Sequence, residues 1–212
     1  MELSNYTDHV VLALLAACWC VLHSALISIS VTEYLERHLA AHYRFYRLFF
    51  NFFAVLSLAV VILYQWSIRS AAVFDWEGYL RVFQVLMIGL GLWLFVLGAR
   101  KYDARRFLGL AQIKDGVSTG AMTQSGELDT SGISSVIRHP WYLALLLLIW
   151  ARPLDPSVIV LNAVFSAYIV IGAFLEERKL VREFGEKYRD YQQRVSMLLP
   201  VKWLKARLMG KA

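Results

Sequence analysis

Arg138-His139-Pro140-Trp141-Tyr142 heads an apolar run, residues 139–151, that closes at Arg152. A guanidinium, an imidazole and a phenol thus gather at one helix start. Pro140 suits the first helical turn, where its missing N–H leaves no bond unmade. The other N–H groups of that turn favour an anion, and Arg138 adds a two-pronged donor for a carboxylate or phosphate. A second charged group, Glu176-Glu177-Arg178, closes the next apolar run, residues 156–175, with Tyr188 and Tyr191 beyond it. Glu176 and Glu177 can accept from an ammonium or a sugar hydroxyl, and Trp141 and the tyrosines offer flat faces for a ring. If the two runs form a hairpin, their ends meet in one pocket. That pocket would suit a ligand with a carboxylate, an amine, a ribose and a flat base. The catalytic candidates are Arg138, Glu177 and Arg178. The binding candidates are His139, Tyr142, Glu176, Glu177, Tyr188, Tyr191 and Gly132, the last because glycine permits positive φ and close backbone approach.

The elements that must hold these residues are set by hydropathy. Of the 212 residues, 58% are apolar and 14% aromatic, with a mean hydropathy of +0.51. Charges are segregated rather than mixed. Residues 10–32, 48–68, 82–99 and 156–175 carry none. At about 1.5 Å per residue each crosses or nearly crosses a hydrocarbon core of roughly 30 Å. Residues 139–151 are too few by the same arithmetic, so this run either borrows 132–137 or turns back before the far face. The fold expected is an all-α integral membrane protein. It has five membrane helices, the fourth short and paired with the fifth as a hairpin, and a cytoplasmic amphipathic C-terminal helix. Along the chain this reads as a scaffold over 1–99, a cytoplasmic loop or lid over 100–139, and the hairpin with its tail over 140–212, one structural domain overall.

Residues 1–9 hold no Lys or Arg and so lack the basic start of a cleaved signal peptide; the first helix is expected to remain as an anchor. Among the 22 Lys and Arg, Arg69, Arg81 and Arg152 alone fall on one side of the expected bundle. The positive-inside rule then puts the C-terminus in the cytoplasm and the N-terminus outside. The formal net charge of +6 is therefore a matter of orientation, and no nucleic-acid partner is expected. Cys18 and Cys20, two apart on one helix, point to different faces and cannot pair. No metal-ligand spacing is present.

Within the apolar runs, His23-Ser24 near the middle of the first, Asn51 and Gln84 read as interhelical hydrogen-bonding groups. The 100–139 connection includes Gly109, Gly116, Gly120, Gly126 and Gly132, and reads either as a mobile connector or as a binding lid. Leu180, Phe184, Tyr188, Tyr191 and Val195 recur on one helical face, with a break at Gly185 open. Pro200 ends that helix, and the basic residues beyond it with Trp203 suit an anionic lipid surface.

Arg138-His139-Pro140-x-Tyr142, followed by Glu176-Glu177-Arg178-x-Leu180, Phe184-Gly185-x-x-Tyr188-x-x-Tyr191, Val195 and Pro200, resembles the isoprenylcysteine carboxyl methyltransferase superfamily. The resemblance is sharp over residues 132–200 and loose over the first three runs. Phe107-Leu108-Gly109-Leu110-x-Gln112 and Ile149-Trp150-Ala151-Arg152-Pro153 are similar to the bacterial thiol methyltransferases within it. His23-Ser24 is similar to related bacterial membrane proteins named for nitrite and nitric-oxide reduction.

The resemblance implies a five-helix enzyme of the bacterial cytoplasmic membrane that uses S-adenosylmethionine. It would methylate a thiol, a carboxylate or a lipid-like acceptor by in-line displacement. Arg138, His139 and Tyr142 would line the cofactor pocket on the cytoplasmic side, with Glu177 opposite. The chain departs from the family pattern at Gly132-Ile133-Ser134-Ser135, where Gly-Pro-Tyr-Arg is frequent, and at Ala144, where glycine is frequent. Two alternatives stay open. Membrane sterol reductases share a similar hairpin but bind NADPH, with Asn before the Tyr where Trp141 stands here. A non-catalytic membrane binding or assembly protein with a degenerate pocket would also accommodate Ser134-Ser135.

Overall fold

Helices account for nearly all the regular structure in the computed structural model, which describes residues 2–100, 103–115 and 128–210; no strand occurs among them. Four segments are long and apolar enough to cross a membrane: Tyr6–Leu26, Ile29–Ser67, Leu80–Ala99 and Pro156–Phe184. Large apolar side chains such as Phe52, Val55, Val85 and Leu86 point outward from them. Lipid would cover such faces at no cost, whereas water would not.

The apolar runs do not map one to one onto helices. α1 (Glu2–Leu26) stops inside the 10–32 run, and α2 (Ile29–Leu39) begins three residues on. Ser28 makes the break: its Oγ donates to Ala25 O at 2.7 Å and accepts from Val31 N at 3.4 Å, capping α2. His23-Ser24 therefore sits in the last turn of α1, not near its middle. A 3₁₀ segment, Ala40–Phe45, leads into α3 (Tyr46–Ser67).

Two compact units divide the chain: Met1–Asp75 with Tyr102–Gln124 and Pro153–Phe165, and Trp76–Lys101 with Ser125–Arg152 and Ser166–Ala212. In the first, α1 and α3 pack through Leu12, Ala16 and Val61 against Leu161. Asn51 Nδ2 donates to Phe107 O at 2.9 Å, tying α3 to α5 (Ala104–Leu108). Gly109 ends α5 at φ +90°, and a Cβ there would lie 2.7 Å from Leu48 N; α6 (Leu110–Asp115) follows. Asp155 caps α8 (Pro156–Phe184) by accepting from the N–H groups of Ser157 and Val158 and is paired with Arg69 at 3.3 Å. Residues 116–127, with Gly116, Gly120 and Gly126 of the expected lid, lie outside the described residues.

In the second unit α4 (Leu80–Ala99) runs antiparallel to α7 (Pro140–Trp150). Gly98 lies against the Trp141 indole and Gly91 against Leu148, each too close to admit a Cβ without movement. Gln84 Nε2 donates to Ala151 O at 2.8 Å near the other end. α7 has 11 residues, about 16 Å at 1.5 Å per residue. It does not gain length from 132–137. Gly132–Ser135 is a separate 3₁₀ turn, and His139 is non-helical at φ −121°, ψ 69°. Pro140 is the reason, since its ring excludes the helical conformation from the residue before it. The latter part of α8 returns along α7, with Trp150 Nε1 bonded to Ser166 Oγ at 3.0 Å and Tyr142 to Glu176 at 2.7 Å. α8 continues past the apolar run to Phe184. Gly185, at φ +57°, breaks it before α9 (Glu186–Arg194), and α10 (Val201–Leu208) closes the described chain.

Candidate active site

The extended stretch that Pro140 imposes turns the N–H groups of residues 138 and 139 sideways, and the tail meets them there. Arg138 N donates to Ser196 O at 2.9 Å and His139 N to Met197 O at 3.0 Å, with Ile137 and Ser196 forming a parallel bridge. This pairing draws the start of α7, the Glu176-Glu177 turn of α8 and α9 into one cluster.

At its centre is Glu177. Its Oε1 accepts from Arg138 Nε at 2.6 Å and lies 3.2 Å from His139 Nε2, while its Oε2 accepts from Gln192 Nε2 at 2.8 Å. Arg138 also donates through Nη1 to the carbonyl oxygens of Gln192, at 3.1 Å, and Val195. The side chains of Arg138 and Glu177 are 7% and 8% exposed. Charges withdrawn this far from water persist because each is paired and hydrogen-bonded.

Glu176 differs. Its side chain is 32% exposed; its Oε2 accepts from Tyr142 OH at 2.7 Å and lies 3.7 Å from His139 Nδ1. The His139 and Tyr142 rings stack with centroids 5.1 Å apart and 7° between planes. A carboxylate, an imidazole and a phenol thus stand at the edge of the buried ion pair.

The structure brings together Arg138, His139, Tyr142, Glu176 and Glu177, but several expected roles change. Arg138 Nε and Nη1 bind the protein itself, so its guanidinium holds the tail in place. Tyr188 and Tyr191 are core residues, 1% and 5% exposed and packed with Val195, Leu180 and Phe184, and offer no open ring face. Burial pushes the Tyr191 phenol up to about 12, and burial with the nearby Glu177 charge raises Tyr188. Tyr191 OH donates to Ser134 O at 2.6 Å. Gly132 opens the 3₁₀ turn carrying that carbonyl, at φ +56° with no atom within 4 Å of where a Cβ would be. Arg178 is not brought in. It lies about 200° around the helix from Glu176, exposed, with no hydrogen bond or ion pair among the described residues. Trp141 turns to α4, stacked on Phe95 at 5.6 Å with its Nε1 donating to Phe95 O at 2.8 Å. Gln192 was missed. Its signal was its place four residues after Tyr188 on the same helical face.

No family model matches the chain, and no solved structure matches it. Among curated proteins it is similar to the methanethiol S-methyltransferase of Pseudomonas deceptionensis, 32% identical over 143 residues, or 66% of this chain and 54% of the relative. It is similar to methanethiol S-methyltransferase 1 of Bradyrhizobium diazoefficiens, 30% identical over 151 residues, or 70% and 52%. The methanethiol S-methyltransferase of Mycobacterium tuberculosis is 29% identical over 150 residues, or 68% and 60%. The chain spans about half the length of the first two. These relatives fit the thiol methyltransferase branch that the Phe107–Gln112 and Ile149–Pro153 motifs indicate.

Proposed function

We propose that this chain transfers a methyl group from S-adenosylmethionine to a small thiol at the cytoplasmic face of a membrane. The observation that carries this reading is the convergence of residues 138–142 with 176–192 on one charged cluster, in a chain related to methanethiol S-methyltransferases. The residues present fit the cationic and hydroxyl-bearing parts of the cofactor. Glu176 is an acceptor with exposed surface, and the stacked His139 and Tyr142 fix its carboxylate from one side. Arg138 directs Nε to Glu177 and Nη1 to main-chain carbonyls, so at most its Nη2 edge is left for the cofactor's carboxylate.

When bound, S-adenosylmethionine supplies an activated methyl group on a positively charged sulfur. The chain's part is placement. The buried Arg138–Glu177 pair locks the tail to the head of α7, and that lock holds Glu176, His139 and Tyr142 in fixed relative positions. Holding two reactants in line near 3–3.5 Å can contribute about 7–11 kcal/mol, with no covalent intermediate required. Attack of a thiolate on a cation consumes both charges, so a site edged by an apolar bundle favours it. In this reading α7 is a fifth, short membrane element, and the charge asymmetry supports a cytoplasmic C-terminus and cluster.

Calorimetric titration of the purified protein with S-adenosylmethionine tests the assignment. Binding is expected in the wild type and at least tenfold weaker in Glu176→Gln, with unchanged unfolding temperature. No heat of binding to a folded protein removes the reading. A second reading has its own observation: Arg138 and Glu177 bond mainly to each other and to the tail, as in a membrane assembly subunit whose pocket is degenerate. It predicts no binding and no effect of Glu176→Gln.

A further inference from the structure

The segment beyond the cluster is a surface that the proposed reaction does not use. In α10 every residue except Ala206 is exposed. Val201, Leu204 and Leu208 recur at positions one, four and eight, forming a single apolar stripe. Leu199 and Met209, 62% and 65% exposed, extend it at either end. Lys205 flanks the stripe on one side and Arg207 on the other, while Lys202 and Trp203 lie farther round toward Ala206. The Arg207 guanidinium lies 5.2 Å from the Trp203 ring. From Tyr191 to the end the sequence holds Arg194, Lys202, Lys205, Arg207 and Lys211 and no acidic residue.

We propose that α10 docks in the plane of the bilayer on anionic phospholipid headgroups, with its apolar stripe turned to the acyl boundary. A stripe of this kind with cationic flanks is matched by such a surface, and each cation adds attraction to anionic lipid. A second copy of the chain is a poorer occupant, because two faces of purely basic charge would repel. The four helices long enough to cross a membrane keep a bilayer within reach. α10 is also joined to the charge cluster. Lys202 Nζ donates to Gln192 O at 2.6 Å and Lys202 N to Ser196 Oγ at 3.0 Å, so ordering α10 orders the tail that Arg138 grips.

The experiment is hydrogen exchange on the full-length protein in nanodiscs of phosphatidylcholine alone or mixed with phosphatidylglycerol. Anionic discs should slow exchange over residues 201–209 by about tenfold, with a smaller slowing over 188–196. High salt should reverse the effect by screening. Lys205→Gln with Arg207→Gln, which touches no cluster residue, should exchange alike in both discs while keeping the wild-type unfolding temperature. Equal wild-type exchange in the two lipids overturns the proposal, as does protection that survives in the double variant. Protection that rises with chains per disc instead of with anionic lipid assigns the stripe to a second copy, and equally overturns it.

Discussion

Glu177 serves three side chains at once, and the fate of that carboxylate governs what substitution does nearby. Arg138→Ala would strand it in a site where its side chain is 8% exposed. Breaking a buried pair from one side costs about 3–5 kcal/mol. The variant should therefore show a clear fall in unfolding temperature in detergent, and Arg138→Lys should rescue little, because an ammonium cannot reproduce the planar fork. Tyr191 makes a separate pH statement. Burial pushes its folded phenol up to about 12, against about 10 in the unfolded chain. A raised pKa contributes stability that is intact below about pH 10 and is lost as pH rises towards 12. Tyr191→Phe should flatten this alkaline loss in a series of denaturant titrations, while losing the bond to Ser134 O. The residues that meet were legible because a hairpin forces Arg138, His139 and Tyr142 toward Glu176 and Glu177. Their partners were not, because the main-chain carbonyls of Gln192 and Val195 that bind Arg138 depend on where the tail folds back, and no local spacing encodes that.

Among the elements, the long apolar helices were legible but their boundaries were not; the short helices α2, α5, α6 and α10 were not anticipated, and α9 ends at Arg194 and not at Pro200. The 10–32 run carries no Asp, Glu, Lys or Arg, yet one hydroxyl at Ser28 divides it. The 139–151 run could have been lengthened backward, yet Pro140 forbids helix at His139. Asn51 and Gln84 do what polar groups on such helices do, binding Phe107 O and Ala151 O across to neighbouring segments. Gly109 carries a sharper consequence. Its φ of +90° and the 2.7 Å approach of a built Cβ to Leu48 N leave no room for a side chain. Gly109→Ala should destabilise by about 1–3 kcal/mol through backbone strain, with the clash adding to it. Limited proteolysis between α5 and α6 should expose the loosening, whereas Gly132→Ala, with open space around it, should disturb packing far less.

At the scale of the molecule, hydropathy indicates a membrane bundle and the four long apolar segments agree with it; the grouping of segments into two units was beyond it, since α8 begins in one and ends in the other. Orientation rests on the distribution of Lys and Arg. A C-terminal fusion should make green fluorescent protein glow and leave alkaline phosphatase inactive in bacterial cells, and the reverse pattern would invert the bundle. The decisive measurement for the proposed function is transfer of labelled methyl from S-adenosylmethionine to a small thiol by the purified, folded protein. The wild type should turn over, and Glu176→Gln should lose at least tenfold in kcat/KM while unfolding at the same temperature. A folded wild type that binds no cofactor and labels no thiol would leave the cluster as a structural lock and nothing more.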